Sequence, residues 1–111
     1  MPRLNVTYPT GLVLQALAQG FHYGFDIMDA TNLPSGTVYP ILRRLDREGL
    51  LESTWEKHAT AVRELRPPRR YYGITPAGAR MLSAARQRYP TLEQSLALDG
   101  RSPGALKPSK A

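Results

Sequence analysis

Apolar positions along the chain alternate between helical and strand-like spacing. Leu12, Val13, Ala16 and Leu17 recur at helical intervals and predict a helix over 9–19. Pro9 suits an early helical position, and Gly20 stands where a C-terminal cap belongs. A second, short helix is predicted over 23–31, with Phe25, Ile27 and Met28 as core and Phe21 packing from the preceding turn. Asn32 ends it, because Asn tolerates the left-handed conformation. Leu33-Pro34-Ser35 reads as a turn with Ser35 as N-cap of a third helix, which runs to about Glu48 and stops at Gly49.

Alternation then replaces helical spacing. Leu51 and Trp55 share one face of a strand-like run over 50–57, and Tyr72 and Ile74 one face of another over 69–74. The segment between reads as a long hairpin loop. Thr75-Pro76 is a helix start signal, cap followed by first helical residue. Met81, Leu82, Ala85, Tyr89, Leu92 and Leu96 then form one apolar stripe, with a kink or break expected at Pro90. Residues 99–111 show no periodicity and read as a flexible basic tail. The fold class is thus mainly α with a small β-hairpin. The order helix, helix, helix, strand, loop, strand, helix is that of a winged helix-turn-helix. The expected division is a winged-helix DNA-binding domain over 1–75, a C-terminal dimerisation helix over 76–98 kinked near Pro90, and the tail.

The third helix has two faces. Val38, Ile41, Leu42 and Leu45 fall within a narrow arc at 100° per residue. Gly36, Pro40, Arg43 and Arg47 occupy the opposite arc, flanked by Tyr39 and Arg44. Small residues at a helix start allow close approach, and the exposed amides there favour phosphate. Arginines on the same face can fork onto guanine or phosphate. Taken alone, this pattern fits a basic surface helix equally well; the order of the surrounding elements favours DNA. Pro40 removes one helical hydrogen bond and is expected to bend or tighten the helix start. Arg63, Arg66, Arg69 and Arg70 lie on or beside the hairpin loop, where a wing can follow the backbone or enter a minor groove.

Composition sharpens this reading. The 111 residues suit one domain and carry a net charge of +6. The charge is uneven: −1 over 1–34, +3 over 35–70 and +4 over 71–111. The positive field therefore begins with the third helix, and nucleic acid leads among anionic partners. Absence of cysteine excludes disulfides and thiolate chemistry and fits a reducing compartment. No apolar run approaches a membrane span, and Met-Pro-Arg-Leu-Asn lacks the apolar core of a signal peptide, so a cytoplasmic protein without a membrane partner is expected.

Four blocks carry a resemblance: Tyr23-Gly-Phe-Asp-Ile, Ser35-Gly-Thr-Val-Tyr-Pro-Ile-Leu-Arg-Arg-Leu, Glu48-Gly-Leu-Leu-Glu-Ser, and Pro68-Arg-Arg-Tyr-Tyr-Gly-Ile-Thr-Pro-Ala-Gly. In this unbroken order, over roughly 8–85, the chain closely resembles the PadR family of transcriptional regulators. The resemblance implies a winged-helix repressor that binds double-stranded DNA as a homodimer, with the C-terminal helix making much of the dimer interface. By the family's pattern Ser35, Thr37, Tyr39 and Pro40 sit at the DNA-facing start of the recognition helix, and Tyr23 lies close to the backbone. The short helical stretch after Thr75 looks like the family's short-tailed branch. Family members often sense phenolic acids or drugs through the dimerisation region. That region is short and poorly matched here, so a small-molecule effector is left without an assigned chemistry.

The expected DNA-binding residues are therefore Tyr23, Ser35, Gly36, Thr37, Tyr39, Pro40, Arg43, Arg44, Arg47, Arg63, Arg66, Arg69 and Arg70. The expected dimer interface is the stripe Met81, Leu82, Ala85, Tyr89, Leu92 and Leu96, which three short helices and a hairpin do not easily cover. No metal or cofactor is called for, since His22 and His58 lack Cys or clustered carboxylate partners. Asp26 and Asp29 read as solvated charges favourable to a helix start rather than a catalytic pair. Trp55 reads as core in preference to a ligand-stacking ring, Tyr72 as core, and Tyr71 as able to reach the nucleic-acid backbone. No nucleophile, base and orienting partner can be assembled, so an enzyme is not expected. The alternative to a DNA-binding regulator is a winged-helix protein–protein module without specific DNA binding.

Overall fold

The computed structural model describes residues 6–97. Six helices and a two-stranded hairpin follow one another: α1 (Tyr8–Ala18), α2 (Gly24–Thr31), α3 (Ser35–Arg47), β1 (Leu51–Trp55), α4 (His58–Arg63), β2 (Arg70–Ile74), α5 (Pro76–Arg88) and α6 (Leu92–Ala97). The tail predicted over 99–111 lies outside the described residues.

α1 is the hub. Its residues Thr10–Leu17 are all buried, because α2, α3, α5, α6 and β2 pack around it. A helix apolar on nearly every side needs this all-round cover. Thr7 caps it through its hydroxyl and Pro9 opens it. Gly20 (φ 102°) and Gly49 (φ 80°) supply the left-handed turns after α1 and α3, as Asn32 (φ 61°) does for α2. α2 turns Ile27, Ala30 and Thr31 inward, whereas Phe25, expected in the core, is 69% exposed. Its position is about 200° around the helix from Ile27, on the opposite side from the core. Asp26, expected in solvent, is buried in the first turn of α2.

The strands pair antiparallel, from Leu51 opposite Ile74 to Trp55 opposite Arg70. Leu51 and Tyr72 face the core. The Tyr72 amide donates to the His22 carbonyl at 2.7 Å, and a Tyr23–Tyr71 bridge ties the hairpin to the segment before α2. The expected hairpin loop contains the helical turn α4, anchored by buried Ala61. Gly78 brings α5 against the hairpin: a Cβ there would overlap the Leu50 carbonyl oxygen.

The break expected at Pro90 is present. α5 ends at Arg88 and α6 begins at Leu92. The chain reverses there and lays α6 on α1, with Leu92 fully buried, Leu96 nearly so, and Leu92 Cδ2 3.1 Å from where a Cβ on Gly11 would lie. Leu82 and Ala85 are also buried within the chain. The apolar stripe is thus covered largely by its own chain, which corrects the expectation that Leu82, Ala85, Leu92 and Leu96 wait for a partner helix. A straight helix could not reach α1 along its whole stripe; one broken at Pro90 does. Met81 and Tyr89 keep part of their surface, and Tyr89 donates to the Val6 carbonyl at 3.1 Å. No helix among the described residues is long and apolar enough to cross a membrane.

Candidate nucleic-acid interface

The start of α3 is open. Pro34, not Ser35, occupies the cap position, and no side chain caps the helix. This corrects the expected role of Ser35: it is the first helical residue and points to solvent with Gly36. A Cβ on Gly36 would meet nothing within 4 Å. Uncapped amides with no bulky neighbour are suited to an anion. Val38, Leu42 and Leu45 hold the other face in the core, so Pro40, Arg43 and Arg47 point outward along the same ridge. The helix runs continuously through Pro40. Thr37 is half-buried beside this ridge.

Tyr39 is 37% exposed and lies across the start of α2. Its ring occupies the space a Cβ on Gly24 would need, so Gly24 permits the two helices to meet here. Tyr23, at the cap of α2, stands between Tyr71, with ring centroids 5.2 Å apart, and Arg69, whose guanidinium lies 4.2 Å above the Tyr23 ring. Partial burial, then the Asp26 carboxylate, push the Tyr23 phenol above its ordinary pKa, so it stays protonated and able to donate.

Between α3 and the wing runs an open groove of about 350 Å³, lined by Tyr39, Arg43, Asp46, Trp55, Arg70 and Tyr72. Trp55, expected in the core, is 59% exposed at the groove's outer end, with the Arg70 guanidinium 5.2 Å from its ring. It shares the face of Leu51 on β1, but the strand outruns the core by residue 55. Arg70 donates to Ser53 Oγ at 2.7 Å and lies 3.5 Å from Asp46 Oδ2, which accepts from Ser53 at 2.9 Å.

Like Arg70, two further arginines expected at DNA have partners within the chain. Arg44 turns toward α1 and donates to Thr10 Oγ1 at 3.1 Å. Arg66 forks onto Glu56, at 2.6 Å to Oε1 and 2.8 Å to Oε2. The Arg69 amide and the Tyr71 hydroxyl also donate to Glu56, so Tyr71 faces inward rather than toward the backbone. The Arg66 fork, with the other two donors, holds the Glu56 carboxyl at a pKa of about 2. Glu56 is a wing anchor that sequence reasoning missed; its signal is a carboxylate at the end of β1 followed within fourteen residues by Arg63, Arg66, Arg69 and Arg70. Arg63 is exposed at the end of α4. Among the described residues no group of His, Cys, Asp or Glu is placed to hold a metal ion.

An open recognition helix beside a hairpin wing, both arginine-bearing, defines a winged helix-turn-helix protein. The model of the PadR-like transcriptional regulator family matches residues 13–84, and the chain belongs to that family. Solved structures agree in fold. A PadR family transcription regulator from hypervirulent Clostridium difficile is 21% identical, with 86% of this chain and 100% of that chain covered at a TM-score of 0.64. One from Eggerthella lenta is 27% identical over 81% of each chain, with a TM-score of 0.57. A PadR-like transcriptional regulator from Bacillus cereus is 25% identical over 84% of this chain and 91% of that one, with a TM-score of 0.59. No curated protein matches the sequence. The chain is therefore a DNA-binding transcriptional regulator and not an enzyme.

Proposed function

We propose that the protein is a cytoplasmic repressor that binds a pseudo-palindromic operator as a homodimer. α3 lies in the major groove and the wing lies along the backbone or in the minor groove. The observation that carries this reading is the open ridge of α3, where an uncapped helix start leads into Pro40, Arg43 and Arg47 on one exposed face. Ser35, Gly36, Thr37 and Tyr39 position phosphate at the helix start, and Tyr23 donates to the backbone from the start of α2. Arg43 and Arg47 reach base edges or phosphate deeper in the groove. Arg63, Arg69 and Arg70 supply positive charge along the wing. Two-fold pairing of copies would place the recognition helices in successive major grooves, with half-sites about one helical turn apart. Met81 and Tyr89, which keep part of their surface, belong to the pairing surface in this reading.

Selection of bound duplexes from a random pool tests the proposal. Two inverted half-sites are the expected product. Single half-sites would remove the homodimer, and no enrichment at low salt would favour a protein–protein module.

A further inference from the structure

Four residues or glycines of the described chain adopt left-handed backbone at the end of a helix. Three are the tolerant types: Gly20, Asn32 and Gly49. The fourth is Leu65, at φ 59°. It ends α4 in a reversed turn, its amide donating to the Val62 carbonyl at 3.0 Å and the Arg66 amide to that of Ala61 at 3.1 Å. Glycine or asparagine would close the same turn without steric cost. Leu65 is also 91% exposed, the most exposed large apolar side chain among the described residues. Backbone strain and apolar exposure therefore fall on one residue, in the segment that joins β1 to β2.

The base beneath it is fixed. Arg66, next in the chain, is forked onto Glu56, and Pro67-Pro68 follow. Arg63 is exposed two residues before Leu65, beside exposed Glu64, and exposed Lys57 stands at the opposite, N-terminal end of α4. An isolated exposed leucine is ordinary; one held in a disfavoured conformation, on a braced segment that also exposes Lys57 and Arg63, points to a polyanion with an apolar interior. We propose that Leu65 is a minor-groove wedge, inserted at a base step of the operator so that the duplex kinks away from the wing. Arg63 and Lys57 meet the phosphates on either side. Apolar wedges unstack flexible pyrimidine–purine steps most easily, so Leu65 gives the wing sequence preference without hydrogen bonds to bases. The proposal rests on the reading of the wing as a DNA contact.

The test uses the full chain and duplexes selected with it, with the bend angle measured by end-to-end fluorescence transfer and affinity measured in parallel. Leu65→Asn and Leu65→Gly both fit the left-handed turn, so their melting temperatures are expected to match or exceed that of the parent. Both are expected to lose most of the bend and to bind about tenfold more weakly. Parent-like bending and affinity in either variant would overturn the wedge, and would turn Leu65 over to a protein-facing surface. In that event, weakened binding by Arg43→Ala would show that the regulator reading itself still holds. A parent protein that binds its selected duplex without bending it would also overturn the wedge.

Discussion

Arg43 and Arg44 are neighbours in sequence and do different things. Arg43 projects from the open ridge of α3, whereas Arg44 is half-buried and donates to Thr10 on α1. Arg43→Ala should therefore weaken operator binding by about 1–3 kcal/mol if it reads a base, with folding stability unchanged. Arg44→Ala should lose about 1 kcal/mol of folding stability, with little change in affinity per folded molecule. Denaturant unfolding beside an equilibrium binding titration checks both. Helical periodicity placed Arg43 outward but put Arg44 on the flank, where 100° steps do not decide between solvent and a neighbouring helix. Ser35 was misread for a related reason. Residue type favours Ser as a cap, but Pro34, fixed near its own φ, already takes the extended conformation of that position.

At the scale of elements, the wing depends on one carboxylate. Glu56 gathers Arg66, the Arg69 amide and the Tyr71 hydroxyl, and its pKa falls from 4.5 to about 2. A depressed carboxylate stabilises the fold fully above its unfolded pKa, and that contribution is lost as pH falls through the folded value. The wing should hold its structure down to about pH 4.5 and lose this support between about 4.5 and 2. Trp55, the chain's single tryptophan, adjoins Glu56 and reports the change by fluorescence. Glu56→Gln should remove the acid transition from that signal; a transition that persists unchanged would assign it to another group. The three main helices, both strands and the α5 start were legible because periodicity, caps and Pro or Gly punctuation agree there. α4 was not. Its six residues carry no apolar stripe, only Ala61 is buried, and the basic residues and the Pro67-Pro68 pair that follow read as loop. Its helical turn persists because the Glu56 cluster, joined to Arg66 and Arg69, holds its two ends together.

Across the whole molecule, the stripe after Thr75 was legible as a stripe but not in what it meets. Its spacing shows one continuous apolar face, and nothing local reveals that reversal at Pro90 returns the second half to α1. Leu92→Ala should therefore cost about 2–5 kcal/mol of folding stability, as a core truncation does. Sedimentation beside denaturant unfolding separates this from dissociation of a pair. Concentration-independent loss of structure supports the internal packing, and a concentration-dependent fall in mass with folding intact would contradict it. The central position of α1 also sets a hierarchy of opening in time. Five other elements enclose it, so the amide hydrogens of Val13 and Leu14 can exchange with solvent only when the whole assembly comes apart. Amides of the thinly anchored α4 can exchange through local opening, so a single exchange experiment would separate the lifetime of the scaffold from that of its wing.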